Sequence, residues 1–278
     1  MPISVRPATA SDCDAMERVL VAAYAGEASP FVRLRSVTAN MRWIVAEEDR
    51  IVAGCVYAIT YGEVAYVGLM AVHPAAQRRG IGEALMNDLL AFLDARGVRT
   101  ALLDATESGA RLYARLGFTE IDTVTIYGRD DRVSSEKLPA DARLRLGVSS
   151  LEIAHADRLV WNCDRGEILD TFLREAQERA AVSLDRSGCV DGYVLVRGRI
   201  VGPWQAENEA SAERLLQHAL STSSASPRVY VPSQNAAACA LLEQRDFTPQ
   251  RSLIHMARGA PSPVRRNLLF GQGSAGTG

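Results

Sequence analysis

Gln77-Arg78-Arg79-Gly80-Ile81-Gly82 follows an apolar run and opens an amphipathic helix, and it restricts the fold of this chain more tightly than any other stretch. The run from Glu63 to His73 (EVAYVGLMAVH) has the Val, Tyr and Leu content of a buried strand. Pro74 ends that strand's ladder, because proline has no N–H to donate. Beyond the glycines, Leu85, Met86, Leu89, Leu90 and Leu93 recur at three- and four-residue spacing with Glu83, Asp88 and Asp94 between them, which predicts a helix buried along one stripe. Gly80 and Gly82 fall at the start of that helix, where the first N–H groups lack helical partners and the dipole is positive. Strand, glycine-containing turn and helix in this order predict a cradle for an anion such as a phosphate.

The rest of the composition narrows the class. A chain of 278 residues, 47% hydrophobic and 23% charged, is expected to be soluble and globular and to form about two domains. A net charge of -2 gives no reason to expect a nucleic acid or an anionic membrane as partner. The five cysteines (Cys13, Cys55, Cys163, Cys189 and Cys239) are odd in number and scattered without metal-ligand spacing, so no metal is expected and a reducing cytoplasm fits. The opening MPISVRPATASDCDA has no apolar signal core, and no apolar run approaches the roughly 18 residues of a membrane span.

Strand and helix signals alternate. Ile3 to Arg6 reads as a strand, and Thr9 and Ser11 offer caps for a helix carrying Met16, Val19 and Leu20. Arg42 to Glu47, Ile51 to Tyr61 and Val64 to Val72 form a meander, separated by Glu48-Asp49-Arg50 and by Gly62. The cradle helix runs to about Gly97. Thr100 to Leu103 then reads as a strand, Gly109 to Leu116 as a short helix closed by Gly117, and Phe118 to Tyr127 as a strand. The expected fold is α/β with a mixed sheet, over residues 1–130. Residues 131–145, charged and containing Pro139, read as a linker.

The same order of elements recurs over 146–258: a helix from Ile168 to Ala181, three strands between Ala181 and Val201, a helix from Glu207 to Leu220, a strand from Arg228, and a helix from Asn235 to Gln244 before a last strand. Phe118 lies 44 positions after Pro74, and Phe247 lies 44 after Pro203. In that register Gln77, Gly80 and Gly82 are replaced by Ala206, Glu209 and Ser211, and Tyr113 by Leu242, so the second half is expected to be a degenerate copy without a cradle. Residues 259–278, ending GQGSAGTG, are expected to be a flexible tail.

The segment YVGLMAVHPAAQRRGIGEALM, followed by LYARLGF, resembles the GNAT superfamily of acetyl-CoA-dependent N-acetyltransferases. In that family Gln/Arg-x-x-Gly-x-Gly/Ala binds the coenzyme A pyrophosphate, and Gln77, Gly80 and Gly82 match it. The LDAT-x-x-G pattern at Leu103 to Gly109, together with the second half, is similar to a tandem-domain bacterial subgroup of the YitH-like type. The resemblance implies two tandem GNAT-like acyl-CoA N-acyltransferase domains, the second degenerate, with acetyl-CoA as cosubstrate in the first.

It also implies site residues. Gln77, Arg78, Arg79, Gly80, Ile81, Gly82 and Glu83 would hold the pyrophosphate, with Arg78 and Arg79 adding charge-assisted contacts. Backbone groups of Met70, Ala71 and Val72 would grip the pantetheine, which lies in a gap beside a bulged strand much as an added strand would. Tyr113 matches the tyrosine that many members use as general acid toward the departing thiolate. For the base, Glu63 at the start of the cradle strand is one candidate, with His73, Asp104 and ordered water as others.

Tyr24, Phe31, Trp43, Tyr57 and Tyr61 are candidates to line an acceptor pocket, and Trp161, Asp164, Glu167 and Trp204 of the second half are candidates to close it. Cys55 lies on a predicted interior strand and Cys13 on an early helix, neither with an evident His partner, so direct attack by a small-molecule primary amine is expected rather than a Cys acyl-enzyme. A protein acetyltransferase acting on lysines or N-termini and a non-catalytic acyl-CoA sensor are the alternatives.

Overall fold

A computed structural model of the chain describes residues 3–24, 40–129, 141–223 and 226–278. It divides into two units, one of Met1–Thr119 with Met256–Pro261 and one of Glu120–His255 with Ser262–Gly278.

In the first unit, strands β1 (Ile3–Pro7), β2 (Met41–Glu48), β3 (Ile51–Tyr61), β4 (Val64–Val72) and β5 (Thr100–Ala105) lie in that order in one sheet. All neighbours are antiparallel except β4 and β5, which are parallel because helix α2 (Ile81–Ala95) makes the crossover between them. Helix α1 (Cys13–Tyr24) packs on β3 and β4 through Met16, Val19 and Leu20. Helix α2 packs on β2, β3 and β4 through Ile81, Leu85, Met86, Leu89, Leu90 and Leu93, the stripe expected from the sequence. Each such side chain contributes about 2 kcal/mol when withdrawn from water, enough to fix α2 along its whole length. A short helix, α3 (Glu107–Arg115), follows β5, and the Thr106 side chain caps it by accepting from the Gly109 N–H.

The second unit has strand order β6 (Thr119–Gly128), β11 (Arg228–Pro232), β10 (Ile200–Ala206), β9 (Val190–Arg197), β8 (Ala180–Leu184) and β7 (Leu144–Leu146), with β13 (Leu269–Gly271) paired to β10. Helices α4 (Ser150–Trp161) and α5 (Gly166–Ala176) pack on β9, and α6 (Glu209–Thr222) packs on β8, β9 and β10. Helix α7 (Ala236–Glu243) precedes β12 (Thr248–Gly259).

Four expectations change. The first domain does not end at residue 130 with its own last strand. Residues from Glu120 onward belong to the second unit, where β6 pairs with β11 from Val124↔Pro232 to Gly128↔Arg228. The first unit instead takes in Met256–Pro261: Ala260 N–H donates to the Arg99 carbonyl (2.8 Å), the Thr100 hydroxyl to the Ala260 carbonyl (3.0 Å), and Arg258 bonds twice to Asp94 (2.8 and 3.0 Å).

Secondly, the tail expected to be flexible is packed into the second unit. Arg266 forms a buried ion pair with Asp122 (2.6 Å), β13 joins the sheet, and Gln272, Ser274 and Thr277 are buried. Thirdly, most of the expected linker lies outside the described residues, but its end forms β7 against β8.

Lastly, the repeat holds in its elements but not in the register of its prolines. Val72 at the end of β4 faces Gly54, as Ala206 at the end of β10 faces Gly192, so Pro74 lies beyond its strand while Pro203 lies inside one. Pro203 falls where β10 bulges between Val201 and Trp204, a position that needs no ladder N–H. Residues 73–80, eight positions, join β4 to α2, whereas only 207–208, two positions, join β10 to α6. The second cradle is deleted rather than substituted.

Candidate active site

The site in the first unit starts from an interruption in β4. Tyr57 faces Gly68 and Cys55 faces Ala71, so Leu69 and Met70 together oppose Val56, and Leu69 takes φ +45°. This is a β-bulge, which re-aims the strand beyond it. On the other side of β4 the parallel ladder with β5 runs from Val64↔Thr100 to Val67↔Leu103 and ends there. The two strands therefore fork at Gly68, and the backbone of Gly68–Val72 faces the gap.

Phenols surround the fork. Tyr66 donates from its hydroxyl to Asp104 Oδ2 at 2.8 Å, bridging β4 and β5 at the branch point. Tyr24, half-buried at the end of α1, donates to the Met70 carbonyl at 2.9 Å, inside the bulge. Tyr113 on α3 is buried and lies edge-on to Phe118, with ring centres 5.9 Å apart. Burial, and then the neighbouring Tyr24 phenol, hold the Tyr113 hydroxyl above its ordinary pKa, so it keeps its proton throughout the physiological range. Tyr57, also raised first by burial and then by Tyr61 and Tyr24, packs against Trp43 at 4.8 Å. Of the residues expected to line an acceptor pocket, Trp43, Tyr57 and Tyr61 are buried, and Phe31 lies outside the described residues.

At the end of β4 the chain makes one 3-10 turn, Pro74–Ala76, capped by His73 Nδ1, which accepts from the Ala75 N–H at 3.3 Å. His73 thus has a local structural partner. Gln77 folds back and donates through Nε2 to the Val72 carbonyl at 3.2 Å, pinning the turn to the strand. Arg78 takes φ +62° and is exposed, with no ion pair among those found for the described residues. Arg79 turns the other way: Nη1 meets Glu48 of β2 at 2.8 Å, and Nη2 donates to the Ala75 carbonyl at 3.0 Å.

Gly80 is the N-cap of α2. It sits in the left-handed region at φ +83°, and it offers no side chain to cap the helix. The N–H groups of Ile81, Gly82 and Glu83 precede the first helical bond, because Ala84 is the first residue whose N–H reaches back, to Gly80. A Cβ at Gly82 would lie 3.0 Å from the Met70 side chain and 3.3 Å from Leu112, so the residue keeps the helix start close to the bulge. The Glu83 side chain points to Arg115 at 3.8 Å on the surface. A diphosphate fits this geometry: three free donors, a positive helix end, an unpaired cation at Arg78, and a forked strand for an extended arm.

Glu63 is not brought to this site. It lies in the β3–β4 turn, at the opposite end of β4 from the bulge, roughly 17 Å along the strand at about 3.3 Å per residue. Its side chain is 70% exposed and faces Arg99 at 3.6 Å. The carboxylate that the fold does bring to the fork is Asp104. Cys55 is buried on β3, and burial pushes its thiol up to about 12, which leaves no thiolate for nucleophilic attack.

In the second unit, Trp161 and Trp204 are fully buried, Asp164 pairs with Arg158 at the surface (3.1 Å), and the Glu167 carbonyl accepts from the Thr171 hydroxyl. Leu242, in the place of Tyr113, is buried core. Among the described residues no group of His, Cys, Asp and Glu is arranged to hold a metal, and no helix is long and apolar enough to cross a membrane.

Comparison with known proteins shows the family and the fold. A family model described as an acetyltransferase (GNAT) domain matches residues 39–120, and a second model of the same description matches 153–271. No curated protein matches. Among solved structures, a proposed acetyltransferase from Pyrococcus horikoshii aligns over 99% of this chain and 96% of its own, at 22% identity and a TM-score of 0.84. A GCN5-related N-acetyltransferase from Sphaerobacter thermophilus aligns over 92% and 95%, at 13% identity and 0.70. A tandem GNAT protein from the clavulanic acid biosynthesis pathway aligns over 94% and 100%, at 17% identity and 0.61.

Proposed function

Because the chain belongs to the GNAT acetyltransferase family and carries two of its domains in tandem, we propose that its first unit transfers the acetyl group of acetyl-CoA directly to the primary amine of a small molecule. The observation that carries this reading is the fork at Gly68, which opens immediately before an uncapped glycine helix start. An acyl-CoA supplies the acyl group already activated as a thioester.

The chain's own residues do the rest. The N–H groups of Ile81, Gly82 and Glu83, with the helix dipole, neutralise the diphosphate, and Arg78 adds a flanking charge. Arg79 contributes by locking the turn to β2 through Glu48. The backbone of Met70, Ala71 and Val72 lines the open side of β4 and aligns an extended arm by strand-like bonding, with the Met70 carbonyl already held by Tyr24.

Tyr113 retains its proton at Oη and can pass it to a departing thiolate. Asp104, half-buried and oriented by Tyr66, is the carboxylate near enough to the fork to accept the amine proton through water. Of the aromatic residues expected to line an acceptor pocket, Tyr24 is the half-buried one at the bulge, and it is the side chain an incoming amine would meet there.

Free-thiol release from acetyl-CoA, screened over amino acids, polyamines, aminoglycosides and short peptides, tests the reading. Turnover with a small amine and its collapse in Tyr113→Phe are expected. Turnover with peptides alone would give the protein-acetylation reading. Tight coenzyme binding with no turnover on any amine would make the unit a sensor.

A further inference from the structure

The second unit repeats the fork, and its own chain fills it. β10 and β11 are parallel, and their ladder is a single pair, Ile200↔Arg228. Beyond that pair β13 lies antiparallel to β10, through Trp204↔Gly271 and Gln205↔Leu269. The Gln272 N–H reaches the Tyr230 carbonyl of β11 at 2.9 Å, and Asn235 Nδ2 donates to the Leu269 carbonyl at 3.2 Å. Phe270 packs on Trp204 with ring centres 5.1 Å apart.

The residues after β13 turn inward onto two buried arginines. Arg197 donates to the Gly273 carbonyl, and to that of Gly202 at 3.1 Å, while stacked 3.7 Å above the Phe172 ring. Arg165 stacks 3.8 Å above Trp161 and donates to the carbonyls of Thr277 (3.3 Å) and Gly278 (3.4 Å). Its other side is held by both oxygens of Asp157, at 3.0 and 2.8 Å, and Tyr193 and Gln205 also donate to Asp157. A buried guanidinium has five N–H groups to satisfy and cannot lose its proton, so these two arginines require carbonyl-type oxygens in front of them.

We propose that the fork of the second unit is a peptide-binding site, and that its ligand is the chain's own segment Leu269–Gly278. β13 supplies strand pairing in the gap, and the following turn supplies backbone carbonyls to Arg165 and Arg197. The site is unsuited to a nucleotide. Only Glu207 and Asn208 separate β10 from α6, and Asn208 Oδ1 already caps that helix by accepting from the Ser211 N–H at 3.0 Å. Glu209 adds a negative charge to the first turn. One domain thus reads a strand where its sister reads an acyl carrier. The inference stands on contacts within the second unit and does not depend on what the first unit acetylates.

The test uses the full chain with a specific protease site placed at the exposed Pro261. After cleavage, the fragment from Ser262 onward is expected to co-elute with the body on native gel filtration. It should exchange with excess labelled peptide of the sequence Arg265–Gly278. A Cβ at Gly271 would sit 2.9 Å from the Val229 side chain and 3.0 Å from the Val201 carbonyl. The Gly271→Val peptide should therefore be taken up about tenfold less well or worse.

In the uncut chain, the Gln272 and Gly273 amides, bonded to Tyr230 and Gly278, should be strongly protected from hydrogen exchange. Immediate loss of the fragment on cleavage, equal uptake of the two peptides, or unprotected amides at 272 and 273 would each overturn the proposal.

Discussion

Replacing Gly80 separates the two demands that the cradle makes on it. At φ +83° any side chain is strained, by about 1–2 kcal/mol, whereas no heavy atom lies within 4 Å of a Cβ built there, so nothing clashes. Gly80→Ala therefore carries the strain alone, and Gly80→Glu carries the same strain plus a charge. A carboxylate at residue 80 and an anion on the N–H groups of residues 81–83 would be separated by about 6 Å, where two unit charges repel by about 0.7 kcal/mol in bulk water and about 3 kcal/mol at an effective dielectric near 20. Two phosphate charges beside this exposed residue then cost about 2–4 kcal/mol, a weakening of roughly 30- to 700-fold.

Titration calorimetry of coenzyme A against both variants measures the difference directly. The gap should narrow as salt rises from about 0.05 to 0.5 M, because the screening length falls below the charge separation. Thermal unfolding should show both variants destabilised alike. Equal coenzyme affinity of the Ala and Glu variants at low salt would refute the assignment of the diphosphate to this turn.

Tyr113→Phe should lower kcat by about 100-fold or more while leaving coenzyme affinity and melting temperature nearly unchanged, as steady-state thiol release and calorimetry would show. Since burial raises the pKa of that phenol, its proton is still in place at pH 10, so the wild-type rate should show no fall from phenol ionisation between pH 7 and 10. Asp104→Asn should lower kcat/KM in steady-state thiol release, whereas Glu63→Gln should match the wild type. Cys55→Ala should retain full turnover, and thiol reagents should not inactivate the native enzyme through that residue, whose sulfur is buried and protonated at neutral pH.

The first unit was legible where local pattern and tertiary demand coincide. β3 and β4 run over the residues expected from their apolar, β-branched and aromatic content and the turns that bound them, and the α2 stripe is buried as its spacing requires. Helix α4 has no clear apolar stripe in the sequence because Leu151 and Leu159 face solvent, although the Ser149–Glu152 capping box marks its start. The role of Arg79 was hidden because its partner, Glu48, is distant in sequence and belongs to another strand.

The tail departs from its expected flexibility for a different reason. GQGSAGTG has little side-chain area to bury, so its composition resembles solvated chain, but it is held through its carbonyls by Arg165 and Arg197. Backbone recognition leaves no trace in residue type. The gap at Met70–Val72 was expected only through the family resemblance, since composition alone does not say where a parallel ladder stops.

The inclusion of Met256–Pro261 in the first unit bears on how the protein is born. β12 is the neighbour of β5 in the sheet, so when Thr119 leaves the ribosome that edge has nothing to pair with. At translation rates of about 5–20 residues per second, the missing piece follows roughly 7–30 s later. Throughout that interval the nascent amino-terminal half carries a bare strand edge, and a chaperone or a neighbouring polysome chain has its opportunity there.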